Sequence, residues 1–213
     1  MKIFLDFDDC LFDTGLFLKS LEEIFATSGV TPALFYRTYQ AMKENASGNG
    51  WQYSCDAHIE MLKPEVSFDE QSLREKLKVC FAHTAEFLFP DVKNFLATLK
   101  SGGIHLFVLS FGDPAFQKQK IAGTGIAVYL EKSIITSIGK AEALQAEIAT
   151  NDEDIWFFDD RIHFIEEVKK AFPKVHTVLV CRAQGRYNEE KNECCDYIVS
   201  DLVEGQKILA EYS

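Results

Sequence analysis

The chain opens on a short apolar run, Lys2 to Phe7 (KIFLDF), which predicts a buried strand. It runs straight into a knot of acids, Asp6, Asp8 and Asp9. From Leu16 to about Ala85 the period changes to that of helices. Phe17, Leu18, Leu21, Ile24 and Phe25 recur at helical spacing, and Thr31-Pro32 predicts an N-cap followed by proline in the first turn. The segment Ala46–Gly50 (ASGNG) is a loop by composition, and Asp56–Leu62 and Ser72–Phe81 follow as further helices. Nothing in this stretch alternates as a strand.

After Pro90 short apolar runs alternate with amphipathic segments. A helix over Val92–Leu99 ends at Gly102-Gly103, and a strand follows over Ile104–Leu109 (IHLFVL), turning at Ser110–Gly112. Pro114–Ala122 is predicted helical, Ala127–Ile135 contains a third strand, and Ala141–Ile148 is a helix entered by Lys140. Ile155–Phe158 (IWFF) is a strand that stops at Asp159-Asp160, Phe164–Phe172 a helix stopped by Pro173, and Val175–Cys181 a strand. Tyr197–Val199 and Leu202–Tyr212 close the pattern as a strand and a helix.

Fully apolar strands separated by helices imply βαβ units, hence a parallel sheet covered on both faces. Ligands of such sheets bind beyond the carboxyl ends of the strands. Asp6 and Asp8, Ser110, and Asp159-Asp160 each follow a predicted strand, so all three groups are expected on one rim.

Composition narrows the partners. The 213 residues suit one domain, or one domain plus an insertion, and can bury a core without disulfide or metal staples. With 22 Lys+Arg against 33 Asp+Glu the net charge is −11, which disfavours nucleic acid and anionic lipid as partners. The six cysteines form no CxxC pair and no zinc-finger spacing with histidine, so reduced thiols in a cytoplasmic protein are expected. No signal peptide and no bilayer-length apolar run is apparent. No glycine-rich nucleotide-binding motif occurs.

Four carboxylates on one rim repel one another, and a hard cation relieves that repulsion. Mg²⁺ takes oxygen ligands, commonly one or two carboxylates, waters and a substrate phosphate. Asp6 with Asp159 and Asp160 suits one such ion, while the Asp8 side chain need not be a ligand. A carboxylate beside Mg²⁺ and a phosphoryl group can attack phosphorus, and a second carboxyl can protonate the leaving oxygen and then activate water. Ser110 is placed to hydrogen-bond a phosphoryl oxygen and Lys140 to offset developing negative charge.

These residues resemble the haloacid dehalogenase (HAD) superfamily over essentially the whole chain. DFDDCLFDT, Asp6–Thr14, is similar to its first motif, DxDx[TV]. VLSFGD, Val108–Asp113, is similar to the second, with Ser110 in the Ser/Thr place. Lys140, in GKAEAL, matches the third, and FFDD, Phe157–Asp160, matches the fourth in its paired-acid form. Cys10 stands where the family has Thr or Val, and Asp9 where it often has Gly.

The resemblance implies a Rossmannoid three-layer α/β core over residues 1–15 and 86–213. A small α-helical cap over 16–85 would close over the site and select the substrate. It implies Asp6 as nucleophile and Mg²⁺ ligand, and Asp8 as general acid/base with its backbone carbonyl on the metal. Ser110 and Lys140 would hold the phosphoryl group, and Asp159 and Asp160 would anchor Mg²⁺. True dehalogenases of the family lack an acid at the place of Asp8 and need no Mg²⁺, so Asp8 favours phosphoryl chemistry.

The expected function is a Mg²⁺-dependent phosphatase acting on a small phosphorylated metabolite through phospho-Asp6. A sugar phosphomutase using the same residues, and a HAD-fold binding protein without turnover, are the alternatives. Lys118 and Lys120, the competitors of Lys140, are expected as surface charges. Arg182 is expected in a surface salt bridge, Asp9 as a plain loop residue, and His163 as structural or solvent-facing. His58 and His83 fall within the cap stretch, where contact with substrate and ordinary helix surface are not separable by sequence. Phe12, Phe17, Phe25, Phe35 and Tyr36 are expected to pack between cap helices and core, with one or two of them walling a pocket.

Overall fold

The computed structural model describes residues 1–44, 52–148, 154–187 and 189–212. Among them six strands form one parallel sheet: β1 (Lys2–Leu5), β2 (His105–Phe111), β3 (Lys132–Thr136), β4 (Ile155–Asp159), β5 (His176–Val180) and β6 (Tyr197–Val199), in the order β3-β2-β1-β4-β5-β6. The strands stand where the apolar runs predict them, within a residue or two at most ends.

β1 is central. Its residues Lys2–Leu5 pair with His105–Val108 on one side and Ile155–Phe158 on the other. Alternate side chains enter two separate cores, as a doubly covered sheet requires. Ile3, Leu5, Leu106, Val108, Trp156 and Phe158 face the core shared with α5 (Val92–Ser101) and α9 (Leu202–Glu211). Phe4, Phe107, Leu109, Ile155 and Phe157 face the core shared with α7 (Lys140–Gln145) and α8 (Ile162–Ala171).

Between β1 and β2 the chain makes four helices: α1 (Thr14–Ala26), α2 (Pro32–Glu44), α3 (Cys55–Leu62) and α4 (Glu70–Ala82). Their starts are chemically marked. Asp13, Ser54 and Asp69 accept from the backbone N–H three residues on, and Thr31 does the same for Leu34 ahead of Pro32. The ASGNG segment lies outside the described residues.

The centre of this helical layer is polar. His58 is fully buried between the rings of Phe25 and Phe35. It is therefore neither a substrate contact nor helix surface. The Thr38 hydroxyl donates to the Leu34 carbonyl (2.8 Å), so it accepts from His58 Nε2 (2.7 Å), and Nδ1 then accepts from the Tyr53 hydroxyl (2.9 Å). Burial, opposed by the Phe35 backbone, holds this imidazole neutral with its pKa lowered to about 4. His83 sits exposed at the end of α4, bonded to the Val79 carbonyl. Phe12, Phe17, Phe25 and Phe35 are all buried, while Tyr36 is exposed.

α6 (Pro114–Thr124) completes the list and joins this layer to the sheet. Gly123 lies so close to the α4 end that a Cβ there would sit 1.8 Å from the Phe81 carbonyl, and Thr84 Oγ1 donates to the Lys120 carbonyl at 2.7 Å.

Candidate active site

The strand order reverses at β1, and the crevice at such a switch point is where open parallel sheets bind ligands. Asp6 is the first residue past β1, its N–H still bonded to the Phe158 carbonyl of β4 at 2.8 Å. Ser110 lies near the end of β2, Asp159 ends β4, and Asp160 follows. Lys140 opens α7, whose first turn is fixed where Ala141 N–H donates to Glu167 Oε1 (3.0 Å). The structure thus brings Asp6, Ser110, Lys140, Asp159 and Asp160 to one rim, as expected.

Lys140 Nζ is buried between Asp6 Oδ1 and Asp159 Oδ2, 2.5 Å from each. Burial alone would lower its pKa, but Asp159 and Asp6 overcome this and raise it, so the ammonium is fixed in its charged form. Asp159 Oδ1 also accepts from Arg161 N–H at 2.9 Å. Burial, together with the neighbouring carboxylates, pushes the pKa values of Asp159 and Asp160 up.

Among the described residues, carboxylate oxygens of Asp6, Asp159 and Asp160 all lie within 4.8 Å of one another. Three buried carboxylates against one ammonium leave two formal negative charges, the charge of one divalent cation. Hard oxygen donors at this spacing need only a small contraction to meet Mg²⁺ at its usual bond length of about 2.1 Å, so the set fits the ion.

Ser110 Oγ is buried and has no hydrogen-bond partner. A buried hydroxyl left unpaired costs roughly 1–3 kcal/mol. It leaves a free donor near the end of β2, on the same rim of the sheet as the carboxylates.

Asp8 is turned away from that cluster. Its Oδ1 accepts from Thr14 Oγ1 (2.6 Å) and from Lys120 Nζ, and its Oδ2 accepts from Gln117 Nε2 (2.6 Å). Burial opposes its charge, but Lys120 and Arg186 more than offset this and hold the carboxyl at about 2. Lys120 is therefore not the surface charge that sequence suggests: its side chain is 1% exposed. Lys118 is exposed, as expected.

Two further expectations are corrected. Asp9 is buried, holds a left-handed φ of 56°, and pairs with Arg186 at 2.6 Å, which ties the loop after β5 to the turn after β1. Arg182 is buried rather than on the surface. It donates twice to the Cys10 carbonyl (3.1 and 2.9 Å) and once to Asp91 (2.7 Å), so it braces the same turn from behind. Gln117, Thr14 and Lys120 are thus site residues that sequence reasoning missed. For Gln117 and Lys120 the available signal was their place on the inward stripe of a helix: Gln117, Lys120, Ile121 and Thr124 are the buried positions of α6. Cys10 is buried with its thiol pKa pushed up by burial and by Asp6, which disfavours a thiolate there.

A cleft of about 300 Å³ opens over these groups. Asp6, Asp8, Lys140 and Asp160 line its floor, and Phe17, Tyr39, Tyr53 and Phe116 line a wall. Phe17 is the member of the expected aromatic set that walls it. His163 stands exposed at the rim against Phe164. No described helix is long and apolar enough to cross a membrane.

Fold and site together define an α/β protein with an acidic, cation-ready centre at the carboxyl ends of a parallel sheet. The chain belongs to the haloacid dehalogenase-like hydrolase family, whose model matches residues 3–195. It is 29% identical over 143 residues to the glyceraldehyde 3-phosphate phosphatase of Methanothermobacter thermautotrophicus. That match spans 63% of this chain and 62% of the relative, less than two thirds of the relative's length.

Among solved structures, a chain assigned as a haloacid dehalogenase-like hydrolase from Burkholderia xenovorans LB400 shares the fold with a TM-score of 0.75 at 20% identity, covering 99% of this chain and 97% of that one. The L-2-haloacid dehalogenase of Xanthobacter autotrophicus, with chloropropionic acid covalently bound, shares it with a TM-score of 0.66 at 14% identity, covering 100% and 99%. The family generally uses Mg²⁺, and Asp6, Asp159 and Asp160 form a cluster that could hold such an ion.

Proposed function

We propose that the protein is a Mg²⁺-dependent phosphatase that hydrolyses the monoester of a small phosphorylated metabolite through an aspartyl-phosphate on Asp6. The observation that carries this is Asp8, a second carboxyl on the cleft floor, held apart from the three-carboxylate cluster by its own donors. Halide needs no proton to leave, and an extra carboxylate repels a haloacid. An ester oxygen does need a proton.

Asp6, Asp159, Asp160 and the backbone carbonyl of Asp8 would hold Mg²⁺, which when bound draws charge from the phosphoryl oxygens and leaves Asp6 free to approach phosphorus. Asp6 attacks, the P–O bond to the leaving group breaks, and Asp8 gives its proton to the departing oxygen. Asp8 is a carboxylate in the free site, and an arriving phosphoryl dianion favours its protonated form by like-charge repulsion. Water then attacks phospho-Asp6, Asp8 takes the water's proton, and the bond to Asp6 breaks. Ser110 donates to a phosphoryl oxygen, and Lys140 holds Asp6 and offsets charge.

Helices α1–α4, which run from Thr14 to Ala82 and fill the 16–85 stretch, act as the cap. α1 contributes Phe17, α2 Tyr39 and the segment before α3 Tyr53 to the cleft wall, and the cleft's size and the similarity to a glyceraldehyde 3-phosphate phosphatase both favour a compact substrate. The test is release of phosphate from an aryl phosphate and from a panel of small phosphate esters. Release is expected with Mg²⁺, not after chelation, and not from Asp6→Asn. Equal turnover by Asp6→Asn overturns the nucleophile.

A further inference from the structure

Lys120 and Gln117 are one helical turn apart on α6 and both point at Asp8. The Lys120 ammonium lies in a box of four rings, 5.3 Å from the centroid of Phe7, 5.0 Å from Phe12, 5.8 Å from Phe17 and 5.2 Å from Phe116. Such faces attract a cation but do not repay its desolvation in full. A leucine or methionine would fill the box at lower cost, so the charge is there for its anionic partner, and that partner is Asp8. Gln117 is held in turn by the Phe111 carbonyl, to which Nε2 also donates (3.1 Å). Gly112, with φ 148°, leaves room for it: a Cβ there would sit 2.9 Å from Gln117 Nε2.

Resting on the phosphatase reading, we infer that Lys120, with Gln117, is a positioning residue for Asp8. The pair holds the Asp8 carboxyl clear of the Asp6, Asp159 and Asp160 cluster and aimed at the leaving oxygen. Two buried lysines thereby divide the work. Lys140 serves the nucleophile and the cation side, and Lys120 the proton-transfer side.

Lys120→Met keeps the stem and removes the charge, and Gln117→Met removes the second donor with little change in volume. With Mg²⁺ present, kcat/KM is measured for wild type and both variants on a series of phosphate monoesters, from p-nitrophenyl to alkyl leaving groups, beside Tm. Proton transfer by a placed group gives about 10²–10⁴-fold in rate, so loss of its aim is expected to cost about 10–100-fold on alkyl esters. On p-nitrophenyl phosphate, whose leaving group needs no proton, the expected loss is under about threefold.

A steeper leaving-group dependence in either variant at unchanged fold supports the inference. An equal loss across the series, or none, in Gln117→Met and in Lys120→Met where it folds, overturns it and makes Lys120 packing alone. Wild-type protein that releases phosphate from no ester overturns the phosphatase reading and this inference with it. Wild-type turnover with an unchanged slope in the variants overturns this inference alone.

Discussion

His58 makes the stability of the helical layer depend on pH, with a sign and size that follow from its surroundings. In the unfolded chain its imidazole titrates near the ordinary value of 6.5, whereas burial between Phe25 and Phe35 lowers the folded value to about 4. As pH falls through this window the unfolded state takes up a proton that the folded state refuses. Stability is therefore intact above pH 6.5, declines below it, and stops declining below pH 4. The loss by about pH 5 is about 2 kcal/mol, and the whole loss about 3 kcal/mol. Urea unfolding of wild type and His58→Gln at pH 7.5 and pH 5 isolates the contribution, because the remaining groups cancel in the difference. Wild type should lose about 2 kcal/mol more than the variant over that interval. Equal losses would refute the assignment of His58 as a buried neutral imidazole.

Other expectations concern the site and its frame. Ser110→Ala should raise thermal stability by about 1 kcal/mol, because it removes an unpaired buried hydroxyl, while phosphate release falls by about a hundredfold; a calorimetric scan beside a phosphate assay reads both. Asp160→Asn should raise the Tm of the metal-free protein by easing carboxylate repulsion, yet weaken Mg²⁺ binding at least about tenfold by titration calorimetry. Gly123→Ala should destabilise by about 3 kcal/mol or more in denaturant, since the added methyl meets the Phe81 backbone and the Thr84 hydroxyl rather than a side chain that can swing away.

The inner strands β1, β2, β4 and β5 were legible because each is built on an apolar run bounded by polar or turn residues, and a buried strand has no other way to be written; the edge strands β3 and β6 are shorter on apolar residues and partly exposed. Asp6, Ser110 and Asp159 were legible for a related reason: each ends such a run, and parallel packing puts those ends together. Lys140 was recognisable only within its motif. What stayed hidden was the polar inner face of α6. Lys120 faces a partner 112 residues away, and a lysine on a helix with polar neighbours looks like surface when that partner is out of view. Half of the inward stripe of α6 is Gln117 and Lys120, which erases the amphipathic pattern that marks a buried face. Arg182 and Asp9 look like surface and loop for the same reason: their partners, Cys10 and Asp91 for the one and Arg186 for the other, are remote in sequence.

The central place of β1 sets the order in which the molecule can assemble. Of the six described strands it is made first, yet its two neighbours are β2 and β4, and the later of these ends at Asp159. At about 5–20 residues per second, β1 waits on the order of ten seconds or more for its second partner. Over that interval the helices from Thr14 to Ala82 have only short loops to close, whereas the sheet must close two long ones. Native pairing of such high contact order is slow. One edge of KIFL is thus left unpaired until β4 is made, and this chain is expected to refold slowly from denaturant and to gain yield when a chaperone shields that strand.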